Sequence, residues 1–144
     1  MILDGEYEPS PAQWVRDQVA EYEASGGQRA NTLRDTGLPV VIVTTRGNKS
    51  GKIRKFPLMR VEHNGQYALV ASKGGAPSHP VWYYNLVSDP DSVMLQDGPA
   101  PFTVTVREGG GSGLRVYGPA TFTVLNSWKF GWLPLRGYTS TTAR

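Results

Sequence analysis

The stretch that decides the fold runs Val40-Val41-Ile42-Val43-Thr44-Thr45, then Arg46-Gly47-Asn48-Lys49-Ser50-Gly51-Lys52, then Ile53-Arg54-Lys55-Phe56-Pro57-Leu58-Met59-Arg60. Two apolar runs rich in β-branched residues flank a polar turn with two glycines, the pattern of a long β-hairpin. The turn is also the centre of positive charge. Arg46, Lys49, Lys52, Arg54, Lys55 and Arg60 supply six of the chain's 15 Lys+Arg. Side chains alternate between the faces of a strand, so Arg54 is expected to point away from Lys55, and Lys55 to join Lys49 and Ser50 on one side. Gly47 and Gly51 let backbone N–H groups turn toward a ligand, and Ser50 adds a hydroxyl between two lysines, so donors and charge converge on an anion. A solvated basic surface hairpin is the alternative reading. No G-x-x-x-x-G-K-[ST] precedes a helix, so the turn is not a Walker loop.

Working outward, 144 residues with 39% hydrophobic content predict one domain, residues 1–144, long enough to bury a core. The formal charge is +3, and more than half of the twelve acids precede residue 36, so the basic charge is local. A small anionic ligand suits that distribution better than a nucleic acid, and no nucleic-acid partner is expected. Without cysteines, and with His63 and His79 as the only histidines, no metal site is expected. Met1-Ile2-Leu3-Asp4 turns acidic at once and no apolar run reaches membrane length, which predicts a cytoplasmic protein without stable membrane insertion.

Before the hairpin, residues 10–25 read as a helix. Ser10 is the candidate N-cap, Pro11 the first helical residue and Gln13 the partner in a capping box, with Gly26-Gly27 as the stop. Trp14, Val15, Val19 and Tyr22 form an apolar stripe opposite Arg16, Asp17, Glu21 and Glu23, expected to pack on a sheet. After the hairpin, Val61-Glu62-His63, the turn Asn64-Gly65 and Gln66-Tyr67-Ala68-Leu69-Val70-Ala71 continue the pattern, predicting three consecutive antiparallel strands. Ser72-Lys73-Gly74-Gly75-Ala76 opens into a polar loop whose small residues permit close approach of a ligand. Ser78 to Leu86 is a short aromatic helix ended by Asp89-Pro90. Trp82 reads as core packing, while Tyr83, Tyr84 and Asn85 bring polar tips beside the loop. An aromatic wall next to an anion site suits a flat heteroaromatic ring with a phosphorylated tail.

The ordered blocks Trp14-Val15-Arg16, Tyr22-Glu23-Ala24-Ser25-Gly26-Gly27, Thr44 to Leu58, Val70 to Gly75 and Pro80 to Leu86 closely resemble the deazaflavin-dependent nitroreductase family over roughly residues 10–100. The resemblance implies a mainly β, α+β fold, a split β-barrel of the FMN-binding type. It implies coenzyme F-420 (8-hydroxy-5-deazaflavin) as cofactor, with FMN as the alternative. Asn48, Lys49, Ser50, Arg54 and Lys55 are then the expected phosphate and tail contacts. Phe56, Pro57, Leu58 and Met59 would line the ring edge, and Val70, Ala71, Ser72, Lys73, Val81, Trp82, Tyr83, Tyr84 and Asn85 would close the pocket. Reduced deazaflavin donates hydride, so the implied enzyme is an oxidoreductase that places a nitroaromatic, quinone, enone or lactone against the ring. Tyr83 and Tyr84 are the candidate proton donors. A non-catalytic deazaflavin or FMN carrier and a basic nucleic-acid-binding barrel are the competing readings.

Beyond residue 100 the resemblance is expected to fade. Phe102 to Arg107 alternates as a barrel strand should, and residues 109–113 read as a flexible connector. In place of the family's acidic helix and tyrosine-rich segment the chain offers Leu114-Arg115-Val116-Tyr117 and Thr121 to Leu125, either a rebuilt hairpin or an altered C-terminus. Residues 126–144 form an aromatic tail interrupted by Gly131, Pro134 and Gly137. It should dock on the barrel or on a second subunit, which leaves a homodimer open.

Overall fold

The computed structural model describes residues 3–63, 66–70, 80–108, 113–117 and 121–125. Within them the elements run α1 (Gln13–Ser25), β1 (Val40–Arg46), β2 (Ile53–Met59), β3 (Glu62–His63), β4 (Gln66–Val70), α2 (Val81–Ser88), β5 (Val93–Gln96), β6 (Pro101–Glu108), β7 (Gly113–Tyr117) and β8 (Thr121–Leu125). This is an α+β arrangement built on one sheet of order β2-β1-β5-β6-β7-β8-β4-β3. All neighbours are antiparallel except β4 and β8, which run parallel.

The deciding stretch forms the hairpin as read, with Val40 opposite Met59 and Arg46 opposite Ile53. Val40-Val41-Ile42-Val43 is uninterruptedly apolar because β1 is buried on both faces. Val40 and Ile42 pack with Val19 and Tyr22 of α1. Val41 and Val43 join Leu69, Leu86, Val93, Leu95, Val104 and Val106 in the larger core. Burial of each such side chain contributes about 1.5–3 kcal/mol, so β1 is the strand through which helix and sheet are fastened. β6 turns the sheet: Pro101 to Val104 pair with β5, and Thr105 to Glu108 pair with β7.

Three expectations are corrected. The third strand does not continue the hairpin: β2 is an edge of the ladder, and β3 is the other edge, paired with β4. Pro57, which offers no N–H, is accommodated on that edge strand. Helix α1 begins at Gln13 with Ala12 as its cap, and no side chain caps it. Pro11 disfavours a helical backbone at the residue before it, and the Ser10 hydroxyl accepts the Ala12 N–H at 3.2 Å instead. Trp14 leaves the buried stripe: it is 42% exposed, and the Arg34 guanidinium lies over its ring. The C-terminal stop is as read. Gly26 takes a left-handed φ of 65°, and the Gly27 N–H bonds the Tyr22 carbonyl at 2.9 Å, a glycine cap that satisfies the last turn.

Helix α2 ends at Ser88, before Asp89-Pro90, as expected. Of the expected connector at 109–113, Gly113 opens β7, which pairs antiparallel with β6; residues 109–112 lie outside the described residues. Residues 71–79, with Ala71, Ser72, Lys73 and His79, lie outside the described residues, as do the side chains of His63 and Val70 and the whole tail 126–144.

Candidate functional site

The hairpin tip is fixed before any ligand is considered. Gly47 donates to the Lys52 carbonyl at 2.7 Å, and Gly51 donates back to the Gly47 carbonyl at 2.9 Å. Gly51 takes a left-handed φ of 73°, a conformation that costs glycine least. A Cβ at Gly47 would stand 2.9 Å from Ser50 Oγ, so residue 47 must be glycine if the serine hydroxyl is to fold over the tip. That hydroxyl accepts the Lys52 N–H at 3.2 Å. Arg46 braces the base of the tip through the carbonyls of Gly51 and Asp4.

Helix α2 meets the tip through one bond: the Asn48 N–H donates to Asn85 Oδ1 at 3.0 Å, and Asn85 is buried. Beside this contact lies a cleft of about 420 Å³. The tip residues Gly47, Asn48, Lys49 and Ser50 form one side of it, and Val81, Trp82 and Asn85 of α2 another. Phe56 stacks on Trp82 with ring centroids 5.3 Å apart and planes 23° apart, giving the cleft a flat aromatic surface. Arg54 and Lys55 of β2 and Glu8, Ser10 and Val15 from the N-terminal region complete it.

The strand alternation places Arg54 on the face of Phe56 and Lys55 on the face of α1. Lys55 therefore does not simply join Lys49 and Ser50; its Nζ donates to Glu23 of α1 at 2.7 Å and lies over the Tyr7 ring. Both long side chains nevertheless line the cleft, because β2 is an edge strand and either face can be reached around its rim. Arg54 is held by the Glu8 carboxylate. Lys49 is exposed, and among the described residues no carboxylate stands within ion-pair distance of it.

Of the residues expected here, Asn48, Lys49, Ser50, Arg54, Lys55, Phe56, Val81, Trp82 and Asn85 come together. Pro57 is buried, Leu58 packs against the core and Met59 lies at the far end of the strand. Tyr83 packs against the core and Tyr84 is 46% exposed; they contact each other edge to face and neither lines the cleft. Glu8, Ser10 and Val15 were not expected as lining, and Gly47 was expected only through a backbone N–H turned toward a ligand, which the structure instead pairs with the Lys52 carbonyl. Gly47 carried a legible signal, a glycine at a turn; Glu8 sits in a run of acids that gives no hint of its docking partner.

A second cavity of about 190 Å³ lies on the other face of β2, lined by Tyr7, Glu23, Thr44, Lys55 and Met94 among others. Burial and the Glu23 charge raise the Tyr7 pKa above its ordinary value. Far from the tip, Arg60 Nε donates to Asp97 Oδ2 at 2.8 Å, and the Tyr67 hydroxyl donates to the same oxygen. Burial and the Asp97 hydrogen bond push the Tyr67 phenol well above its ordinary range. For Arg60, burial acts to lower the pKa, but the hydrogen bond and charge of Asp97 outweigh it and raise the value. No group of three or more His, Cys, Asp or Glu among the described residues could hold a metal ion, and no described helix is long and apolar enough to cross a membrane.

A family model described as F420H(2)-dependent quinone reductase matches residues 14–118, reaching through β7 and past the point where the resemblance was expected to fade. F420H(2)-dependent quinone reductases of Mycobacterium tuberculosis, strains H37Rv and CDC 1551, are each 39% identical over 95 residues, 66% of this chain. The chain spans 62% of the length of those curated relatives. A solved structure of an F420-H2 dependent reductase is 55% identical over 51% of this chain and 64% of its own, with a TM-score of 0.46. A domain-swapped dimer is 38% identical over 94% of both chains, with a TM-score of 0.49. On the match that covers residues 14–118, the chain belongs to the F420H(2)-dependent quinone reductase family.

Proposed function

We propose that the cleft binds coenzyme F-420 and that the protein is an oxidoreductase reducing a quinone, the acceptor class favoured over nitroaromatics, enones or lactones by the family match. The observation that carries the reading is the junction of an anion-seeking hairpin tip with a flat aromatic surface in one cleft: Lys49 and Ser50 on one side, the Phe56–Trp82 stack on the other. The residues suit the group. Lys49 has no carboxylate partner among the described residues, glycine at position 47 leaves room for the Ser50 hydroxyl, and the cavity volume is that of an ordinary small-molecule site.

When bound, reduced deazaflavin supplies a hydride and disfavours one-electron steps. The chain's own residues bind and orient. Lys49, Ser50 and Asn48 would hold the phosphate through charge-assisted contacts, with Arg54 and Lys55 lining the same cleft. Asn85 sets the tip against α2 so that the anion site and the aromatic surface keep one spacing. Phe56 and Trp82 would support the ring with a water-excluding aromatic surface, and Val81, 75% exposed, lines the cleft beside them. Positioning of two reactants in this manner is the main contribution a protein makes to hydride transfer. Tyr83 and Tyr84 are left out of the binding set because they stand away from the cleft.

The fold reading that accompanies this function is a split barrel of the FMN-binding type in a single domain. Its support is the turn in β6, which hands the ladder from β5 to β7 and brings β4 near β2. Fluorescence titration with coenzyme F-420 and with FMN, followed by quinone reduction assays with the reduced cofactor, tests the proposal. Tighter binding of F-420 and turnover support it; preference for FMN, or binding without turnover, overturns the reductase assignment.

A further inference from the structure

We propose that Glu8 is a charge gate of the cleft: it occupies the Arg54 guanidinium as an internal counter-anion, and an anionic ligand must displace it to gain that cation. The inference deepens the cofactor reading and rests on it for the identity of the natural anion. Glu8 is brought to the site by backbone pairing and not by chance contact. Residues 6–8 run alongside the start of β2, where the Ile53 N–H donates to the Glu6 carbonyl at 2.8 Å and the Glu8 N–H donates to the Ile53 carbonyl at 2.9 Å. That register, a parallel bridge centred on Tyr7 and Ile53, sets Glu8 beside Arg54.

The three cations that line the cleft differ in how they are neutralised. Lys49 has no carboxylate partner among the described residues. Lys55 is paired with Glu23, which lines the second cavity and not the cleft. Arg54 is paired with Glu8, and Glu8 itself lines the cleft. A phosphate held by Lys49 and Ser50 therefore shares its cavity with one carboxylate. It meets both a competitor for Arg54 and a like charge. The pair is about two-thirds buried on each side, with side chains 32% and 39% exposed, so it is solvated enough to exchange. Glu6 offers the internal control: it faces Lys52 at 3.7 Å, is 74% exposed and lies outside the cleft.

The experiment measures inorganic pyrophosphate, F-420 and riboflavin binding to the full chain, to Glu8→Gln and to Glu6→Gln, by calorimetry and fluorescence at low salt. Loss of one partly exposed ion pair leaves folding intact, and a thermal melt of each variant verifies this; Glu8→Ala is the second variant. Glu8→Gln is expected to bind pyrophosphate about three- to fivefold tighter, in the range of one exposed ion pair, with Glu6→Gln unchanged. Riboflavin, which carries no phosphate, is expected to respond to neither substitution. Pyrophosphate affinity that is unchanged or weaker in Glu8→Gln overturns the gate, as does an equal gain for riboflavin. If pyrophosphate tightens while F-420 binds no variant, the gate stands and the cofactor reading fails; if F-420 binds and pyrophosphate does not tighten, the gate fails and the cofactor reading stands.

Discussion

The buried side-chain oxygen of Asn85, on α2, accepts the backbone N–H of Asn48 at the tip of the hairpin, 3.0 Å away and 37 residues distant in sequence. This bond joins the basic tip to the helix that carries Trp82, so the two halves of the cleft share one fixed spacing. Asn85→Ala leaves the Asn48 N–H without its acceptor, which costs about 1–3 kcal/mol where the group stays desolvated. The expected outcome is a lower melting temperature together with weaker cofactor binding. Loss of one without the other, followed by thermal melts and fluorescence titration, would show that Asn85 does not couple tip and helix.

Lys49 and Lys55 are expected to behave differently although both line the cleft. Lys49 is exposed, so Lys49→Ala should leave the melting temperature within error while weakening F-420 binding by about 1.5–3 kcal/mol, the worth of a hydrogen bond to a charged group. Lys55 is committed to Glu23. Lys55→Ala should cost less affinity and remove the tie between β2 and α1, seen as a small drop in stability of at most about 1 kcal/mol. Equal affinity losses in the two variants would place the phosphate between both lysines.

Much of this was legible in the residues. The hairpin, the glycine stop of α1, the end of α2 before Asp89-Pro90 and the approach of Asn85 to the basic tip follow from local chemistry, whereas Trp82, which reads locally as core packing, was placed in the pocket only by the family resemblance. Strand β5 was not read: Val93-Met94-Leu95-Gln96 is only four residues long, three apolar residues and a buried glutamine without alternation, because it lies between β1 and β6. The partner of β4 was equally hidden, since a parallel pairing with β8 across 50 residues leaves no local trace. Glu8 was missed for the same reason. Its role depends on a backbone register with Ile53 that no spacing rule encodes. The pattern of Trp14 at helical spacing misled because periodicity marks a face, not the width of what covers it.

Gly47 and Ser50 are expected to act as a coupled pair. Its backbone is not in the left-handed region, so alanine is resisted by the neighbour and not by φ: the added Cβ would meet Ser50 Oγ at 2.9 Å. Gly47→Ala should displace the serine hydroxyl from the Lys52 N–H and weaken cofactor binding. Adding Ser50→Ala removes the clash, so the double variant should lose less affinity than the two single losses summed, a coupling of about 0.5–3 kcal/mol. Strict additivity in a double-mutant cycle would mean that the two residues do not meet at the tip.

The last expectation concerns alkaline stability and the end of the sheet away from the cleft. Tyr67 donates to Asp97, which Arg60 also holds, and burial together with that hydrogen bond raises the phenol's pKa. The native state therefore keeps its proton at a pH where the unfolded chain, with an ordinary tyrosine near about 10, has released it. The unfolded state then binds fewer protons than the native one, so unfolding free energy falls as pH rises. The contribution is fully present below about pH 10 and is lost progressively above it. Tyr7 and Tyr22, also raised by burial, act in the same direction, so all three phenols contribute to the wild-type slope. Tyr67→Phe removes one of them, and its stability should decline less steeply with pH above about 10 than that of the unmodified chain. Denaturant midpoints measured through this interval decide it: parallel slopes for the two proteins would mean that the phenol titrates alike in the folded and unfolded states, and that the hydrogen bond to Asp97 does not hold the proton.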